Sequence, residues 1–585
     1  MRDASGTLAS LGGERRAAYS PRVGGTEKSA LENWKDRGLD LSVRVRALSR
    51  VAWKSGLLRE LRWRGVQAAA AALSRGAQGP SQIYRVHAAN SPDKIALYWH
   101  DEALSFGELD ARMDRVALGL SRRGLAKGSS ALILTRNRPE FLLMHGGVSR
   151  LGAAAVSVSW RSTRDELSFL ASDCGATALC FEHDLWPVVE ETVKAVPGLG
   201  ASLIVVGARE GEAPNGCIRF EDLERTPGTF VTDWTAEEEA AVVIYTSGTT
   251  GKPKGAVRKF PKDGMTAALQ FIAETPMRAD DVHLVPCPLY HSTAFGFLAF
   301  SHLLGASAVL MDEFKPEPFL HAIERFGVTT TAIVPTMMQR VLGLGREELA
   351  RHDTRSLRAI FSTGAPFPSP LALEVMGHFG DILYNLYGAT EFGVVTLATP
   401  ADLRAAPGTI GRRVPGTEIR LENEAGTEVG TDAVGELWAK SKLMVEGYHN
   451  DREATNASLR RGFFSVGDLA RRDRQGRYFL EGRSRDMVIS GGVNVYPAEV
   501  EAVLEAHPDV AEAAVVGVED AEWGERVRAF VVRKRGTDLA ELELKTWTRT
   551  RLAGPKVPRD FVFLDVLPRN PTGKVLKREL REHAL

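Results

Sequence analysis

Residues 245 to 255 read "YTSGTTGKPKG", directly after "AAVVI" at 240–244. A short apolar, β-branched run predicts a buried strand. The strand leads into glycines, hydroxyls and positive charge. Glycines let backbone N–H groups turn inward around an anion. Thr246, Ser247, Gly248, Thr249 and Thr250 therefore form a candidate phosphate cradle, and Lys252 and Lys254 bring cations to it. The loop is not the common ATPase pattern, because Lys252 is followed by Pro253 rather than Ser or Thr.

The rest of the composition frames this loop. The chain has 585 residues, enough for about three to four compact units. Lys plus Arg and Asp plus Glu are 74 each, which gives no global charge for nucleic acid. Cys174, Cys180, Cys217 and Cys287 have neither disulfide-framework nor zinc spacing, which predicts a reducing, cytoplasmic compartment and no structural metal. The start of the chain lacks an apolar signal segment. "FGFLAFSHLLGASAVLM" (Phe295 to Met311) carries His302 and Gly305 and reads as a buried helix followed by a strand.

Residues 1–76 read as an N-terminal extension. Within 41–75, Arg44, Arg46, Arg50, Lys54, Arg59, Arg62, Arg64 and Arg75 stand against Glu60 alone. Arg46, Arg50 and Lys54 share one helical face, with Leu41, Val45, Leu48 and Ala52 on the other. Such a helix suits peripheral contact with an anionic membrane, or packing on the body with a solvated basic face. From about residue 80, apolar runs alternate with helical stretches. Candidate strands are 131–135, 154–159, 177–182, 202–207, 240–246, 283–287, 307–311, 330–335 and 359–364. That rhythm predicts parallel α/β layers. "TEIRLEN", "GELWAKS" and "GRYFLEG" predict a small antiparallel unit, and "YPAEVEAVLEAH" opens a last helix with Pro497 at its first position.

Further stretches come after the glycine loop in order: "PLYHSTAFG" (288–296), "STGAPFP" (362–368), "YGATE" (387–391), "SVGDLA" (465–470), "GRSRDMVISGGVNVYPAEVE" (482–501) and "NPTGK" (570–574). Together with the loop they resemble the motif series of the adenylate-forming superfamily, which includes acyl-CoA synthetases. The resemblance covers roughly residues 80–585 and implies an α/β fold. Two layered α/β subdomains and a small β-barrel form an AMP-binding domain (77–484), followed by a mobile α+β C-terminal domain (485–585). It implies an ATP-dependent acid–thiol ligase that uses Mg²⁺ and coenzyme A.

Residue by residue, the resemblance implies that Glu391 and Thr246 hold Mg²⁺ and that Thr390 binds the α-phosphate. Tyr387 and Gly388, with Gly364, Ala365 and Pro366, would meet adenine. Asp468 would take the ribose hydroxyls, with Arg483 beside it. Lys574 would stabilise charge at the α-phosphate, and His291 would lie on the carboxylate path. Gly491, Gly492 and Val493 would form the CoA loop. Arg485 stands at the hinge, where the family usually has Asp or Lys. His291, Ala294, Phe295, Gly296, Met337, Met338 and Ala389 would line the acyl pocket; their apolar character and the absence of an acidic anchor for an amine point to a medium- or long-chain fatty acid. The alternatives are an acyl-AMP ligase that loads a carrier protein, a luciferase-like oxygenase, and a silent acyl- or nucleotide-binding homologue. Intact Glu391, Asp468 and Lys574 count against the last.

Overall fold

The computed structural model describes residues 51, 53–74, 79–232, 241–246, 254–259, 264–490, 493–520, 523–569 and 574–583, all within the unit Ala47–Leu585. Four sheets organise these residues. The first has seven strands in the order Cys217–Arg219, Ser202–Val206, Ala178–Glu182, Ser130–Leu134, Ala154–Ser157, Ala241–Thr246 and Lys254–Lys259. All but the last pairing are parallel. The second has nine strands, with the parallel series Leu383–Ala389, Ala359–Ser362, Thr330–Ile333, Val282–Val285, Ser307–Leu310 and Ile95–Trp99 at its centre. Every strand expected between residues 131 and 364 is present, and their buried residues build the main cores. The segment read as buried helix then strand is helix Ser292–Leu303 followed by Ser307–Leu310.

The small unit is an antiparallel sheet of six strands. Glu418–Glu422 pairs with Gly435–Lys440, and Asp468–Arg472 pairs with Tyr478–Arg483. The C-terminal sheet has five strands, dominated by the hairpin of Val510–Asp520 and Gly524–Arg533. Helix Pro497–Glu505 packs on it through Val500 and Leu504.

Two strands near the site, Leu383–Ala389 and Gly393–Ala398, lie outside the strands expected from apolar runs. They form a tight antiparallel hairpin whose register shifts between Tyr387 and Gly388. A Cβ on Gly388 would meet the Gly393 carbonyl oxygen at 2.4 Å, so only glycine allows the strands to close here. The irregularity sets Thr390 and Glu391 at the hairpin tip.

Residues 1–50 and 75–78 lie outside the described residues, and with them most of the expected basic helix. The described part packs on the body. Val51 joins a core with Leu269 and Phe297. Lys54 donates to the Ala273 carbonyl at 3.0 Å, and Asn90 bonds both the Arg62 N–H and the Glu60 carbonyl. Packing thus holds for this portion, while Trp53, Leu58, Leu61 and Trp63 remain exposed.

Candidate active site

The strands on either side of the glycine loop pair with each other. Ala241–Thr246 and Lys254–Lys259 pair antiparallel, with Thr246 opposite Lys254. Ser247, Gly248, Thr249, Thr250 and Lys252 lie outside the described residues, as does the side chain of Thr246. Lys254 sits with its ammonium 5.0 Å from the centre of the Tyr448 ring.

Tyr448 leads to the carboxylate expected at the metal. Its hydroxyl donates to Glu391 Oε1 at 2.8 Å, and Glu391 is buried. Burial first, then the Glu391 charge, raises the Tyr448 phenol well above its usual range, so it stays a neutral donor. Beside it, the half-buried Arg258 donates to the Thr390 carbonyl at 2.6 Å. Burial lowers the Arg258 pKa to about 10, and the Glu391 charge opposes the fall. Ser292 Oγ lies 3.3 Å from Thr390 Oγ1. Glu391 offers the hard oxygen that Mg²⁺ requires, in a setting where Tyr448 fixes its orientation. Sequence reasoning missed Arg258, Ser292 and Tyr448. Only Ser292 carried a signal, its place directly after His291 in "YHST".

The second cluster gathers around Asp468. The strand register sets Asp468 opposite Arg483. Arg483 Nε donates to Asp468 Oδ1 at 2.9 Å, and the Tyr387 hydroxyl donates to Oδ2 at 2.7 Å. Burial, then the Asp468 charge, holds Tyr387 neutral. Its ring packs near Phe392 within the core of the small unit. A carboxylate oriented in this way keeps lone pairs for two vicinal hydroxyls. Gly364 takes φ +87° directly after the strand Ala359–Ser362, and Gly364 and Pro366 are exposed in that turn.

Lys574 joins this cluster from the far end of the chain. Its turn is closed by the bridge between Arg569 and Val575 and by the Leu576 N–H on the Pro568 carbonyl at 2.8 Å. The next helix, Lys577–Glu582, is tied down by Arg581 on Asp486 at 2.8 Å and Lys577 on Glu501 at 2.6 Å. Burial and then the positive charge of Arg483 lower the Lys574 pKa to about 8; Asp468 acts in the opposite direction. Arg485, in the turn Ser484–Asp486, lowers it further. The structure therefore sets Lys574 where the charges of Arg483 and Asp468 act on it. Val493 is exposed on the strand Val493–Val495, and Gly491 and Gly492 lie outside the described residues.

On the acyl side, His291 directly precedes helix Ser292–Leu303 and makes no side-chain cap bond. Its Nε2 is buried with no hydrogen-bond partner, and burial lowers its pKa to about 4. Phe295 packs on His145, with ring centres 4.7 Å apart, and lies 6.2 Å from Phe141. A Cβ on Gly296 would meet open space. Met337 lies where two cores meet and touches Cys287. Met338 belongs instead to the core with Leu284, Ile333 and Val341, where it is fully buried. Helical spacing explains this: Met338 and Val341, three residues apart, share the face that packs under the sheet.

The AMP-binding enzyme model matches residues 84–449, and the model of the AMP-binding enzyme C-terminal domain matches 499–574. The chain belongs to the AMP-binding enzyme family. An indoleacetate–CoA ligase of Aromatoleum aromaticum is 33% identical over 502 residues, 85% of this chain and 96% of that protein. The long-chain-fatty-acid–CoA ligase FadD13 of Mycobacterium tuberculosis is 30% identical over 484 residues, 82% and 93% of the two chains. The crystal structure of the anthranilate CoA ligase AuaEII with anthranoyl-AMP superposes with a TM-score of 0.80 at 27% identity, over 86% of this chain and 96% of that one. As a member of the AMP-binding enzyme family, this protein is an AMP-forming acid–CoA ligase. It acts on a small-molecule acid with ATP, Mg²⁺ and coenzyme A. No helix among the described residues is long and apolar enough to cross a membrane.

The Lys574 environment predicts a pH dependence. In the role the resemblance implies Lys574 is an ammonium, and a pKa of about 8 means that form is lost as pH rises through 8. Thus kcat/KM for ATP, read by pyrophosphate release, should be level below about pH 7 and fall on an alkaline limb near 8. Lys574→Arg should remove that limb, because arginine stays charged. A wild-type limb near 10.5, the value of an ordinary lysine, would contradict the assignment.

Proposed function

We propose that the acid is an apolar monocarboxylate, with a medium- or long-chain alkyl acid as the first reading. The observation that carries this is the uncharged acyl side of the site. His291 and His145 are both held neutral by burial, to about 4 and about 3. Phe295 and Met337 pack on the core beside them, with open space beside Gly296, while Ala389 packs on the core of Tyr387 and Phe392. A second carboxylate or an ammonium on the substrate would find no countercharge among these groups. The rings of Phe141, His145 and Phe295 favour a second reading, an arylacetic acid, in line with the indoleacetate ligase.

In this reading the carboxylate enters past His291 and attacks the α-phosphorus of ATP, and pyrophosphate leaves. Lys574 bridges the incoming carboxylate and the α-phosphate, so charge gathering in the transition state meets a fixed cation. Asp468 holds the ribose, and Thr390 meets the α-phosphate. Glu391 and Thr246 would hold Mg²⁺, which neutralises charge on the phosphates. A pivot near Arg485, the boundary of the two domains, then removes Lys574 and brings the loop 491–493 inward. The CoA thiol, losing its proton, attacks the acyl carbonyl; the thioester forms and AMP leaves.

A series of straight-chain acids from butanoate to palmitate, with indoleacetate, succinate and an amino acid beside them, tests the substrate class by pyrophosphate release with CoA present. For the alkyl reading kcat/KM should rise about fourfold per added methylene until the pocket is filled. Indoleacetate outrunning every alkyl acid would select the aryl reading. Succinate or the amino acid leading would overturn both.

We also propose that residues 53–64 rest on anionic membrane surface. Trp53 and Trp63 are 80% and 72% exposed, with Leu58 and Leu61 nearby and Arg59, Arg62 and Arg64 among them. Aromatic rings at the interface and cations toward lipid phosphates suit that position. Because Val51 and Lys54 pack on the body, substitution is a cleaner test than truncation. Trp53→Ser with Trp63→Ser should weaken binding to phosphatidylserine vesicles and leave the turnover of a soluble acid unchanged. Equal vesicle binding by this variant and wild type would refute the placement.

A further inference from the structure

Helix Pro316–Phe326 and the turn after helix Arg346–Leu349 meet on the nine-stranded sheet subdomain. There, ligand-type atoms of His321, Glu324 and His352 all lie within 4.8 Å of one another. His321 and Glu324 are three residues apart and so share one helical face. The two imidazoles stand edge to face, with ring centres 4.6 Å apart.

His352 is the telling member. Its side chain is only 4% exposed, yet neither ring nitrogen has a hydrogen-bond partner. Each nitrogen instead faces a carboxylate at 3.6 Å: Nδ1 faces Glu324 Oε2, and Nε2 faces Glu348 Oε1. That is too long for a hydrogen bond. It is close to the separation of two ligands on one tetrahedral ion, roughly 3.3 Å for metal–ligand bonds of about 2 Å. Buried polar atoms are rarely left unpaired, so this geometry calls for something between them.

We propose that His321, Glu324 and His352 form a binding site for a divalent transition ion of the zinc type, separate from the ATP-linked Mg²⁺. Two imidazoles and one carboxylate suit Zn²⁺, whereas Mg²⁺ selects oxygen donors. His352 binds through Nδ1. Its Nε2–H then points at Glu348, an outer carboxylate that orients the ring and makes it a stronger ligand. The fourth position is left to water. The ion ties the helix to the turn before strand Ala359–Ser362, so it works as a staple between two segments of the subdomain.

The test uses the full-length, tag-free chain in magnesium-free buffer. Zinc chloride is titrated calorimetrically, and the melting temperature is followed with and without zinc. One ion per chain should bind and raise the melting temperature. His321→Ala, at an exposed position, should keep the fold by circular dichroism, weaken zinc binding at least about tenfold and abolish the thermal shift. Glu348→Gln should keep the stoichiometry and lose about tenfold in affinity. Cobalt in place of zinc should give the visible absorption of a tetrahedral nitrogen–oxygen site. No zinc binding by the wild type would overturn the proposal, and so would binding that is the same in the folded His321→Ala chain. Either result would leave His352 as a buried ring between two glutamates.

Discussion

The Asp468 carboxylate is the joint on which the site depends. It is buried, and a buried charge persists only when it is paired and hydrogen-bonded. Its partners come from separate sheets. Tyr387 reaches it from the nine-stranded sheet, Arg483 from its own antiparallel neighbour, and Lys574 bears on it from the C-terminal unit. Through Tyr387 and Arg483 the carboxylate therefore links the large sheet to the small one. Burial and two positive neighbours, Arg483 and Arg485, act against the charged form of Lys574. A polyanion in the site would act in its favour. A lysine in that state gains most from a negative transition state and is easily released afterwards.

The phosphate end obeys the same logic with opposite sign. Glu391 is a buried anion oriented by Tyr448, and Arg258 stands close enough to feel its charge. Lys254 approaches over the Tyr448 ring, a contact from which its ammonium can turn toward phosphate. Lys254, the hairpin residue Glu391 and Tyr448 thus meet, which sets a cation and an anion side by side. The acyl side, with neutral histidines and apolar walls, has the reverse character. The charged and the uncharged groups thus lie in separate halves of the site.

Much of this was legible in the sequence. Each β-branched run from 131 to 364 became a strand, because burial on both faces of a parallel sheet leaves a continuous apolar signal. Pro497 opens its helix as its position implied. The ordered motifs pointed to Glu391, Asp468 and Lys574 by resemblance, and in the structure the Asp468 charge acts on Lys574. What stayed hidden has a common cause. Arg258 acts on Thr390, 132 residues away, and Tyr448 on Glu391, 57 residues away; such bonds leave no local pattern. The strand Leu383–Ala389 carries a polar, glycine-bearing motif at its end, so its sequence speaks of chemistry rather than of a ladder. Met338 reads like Met337 in composition, and only the helical face decides which of them is core.

The central claim is that Glu391, Asp468 and Lys574 form the adenylate-forming arrangement, with Lys574 acting in the first half-reaction alone. Lys574→Ala measured on each half-reaction separately tests it most directly. Acyl-adenylate formation from acid and ATP should fall by about 10²–10³, the cost of removing a preorganised charge. Thioester formation from synthetic acyl-adenylate and CoA should stay near the wild-type rate. Equal loss of both half-reactions in a folded variant would contradict the account.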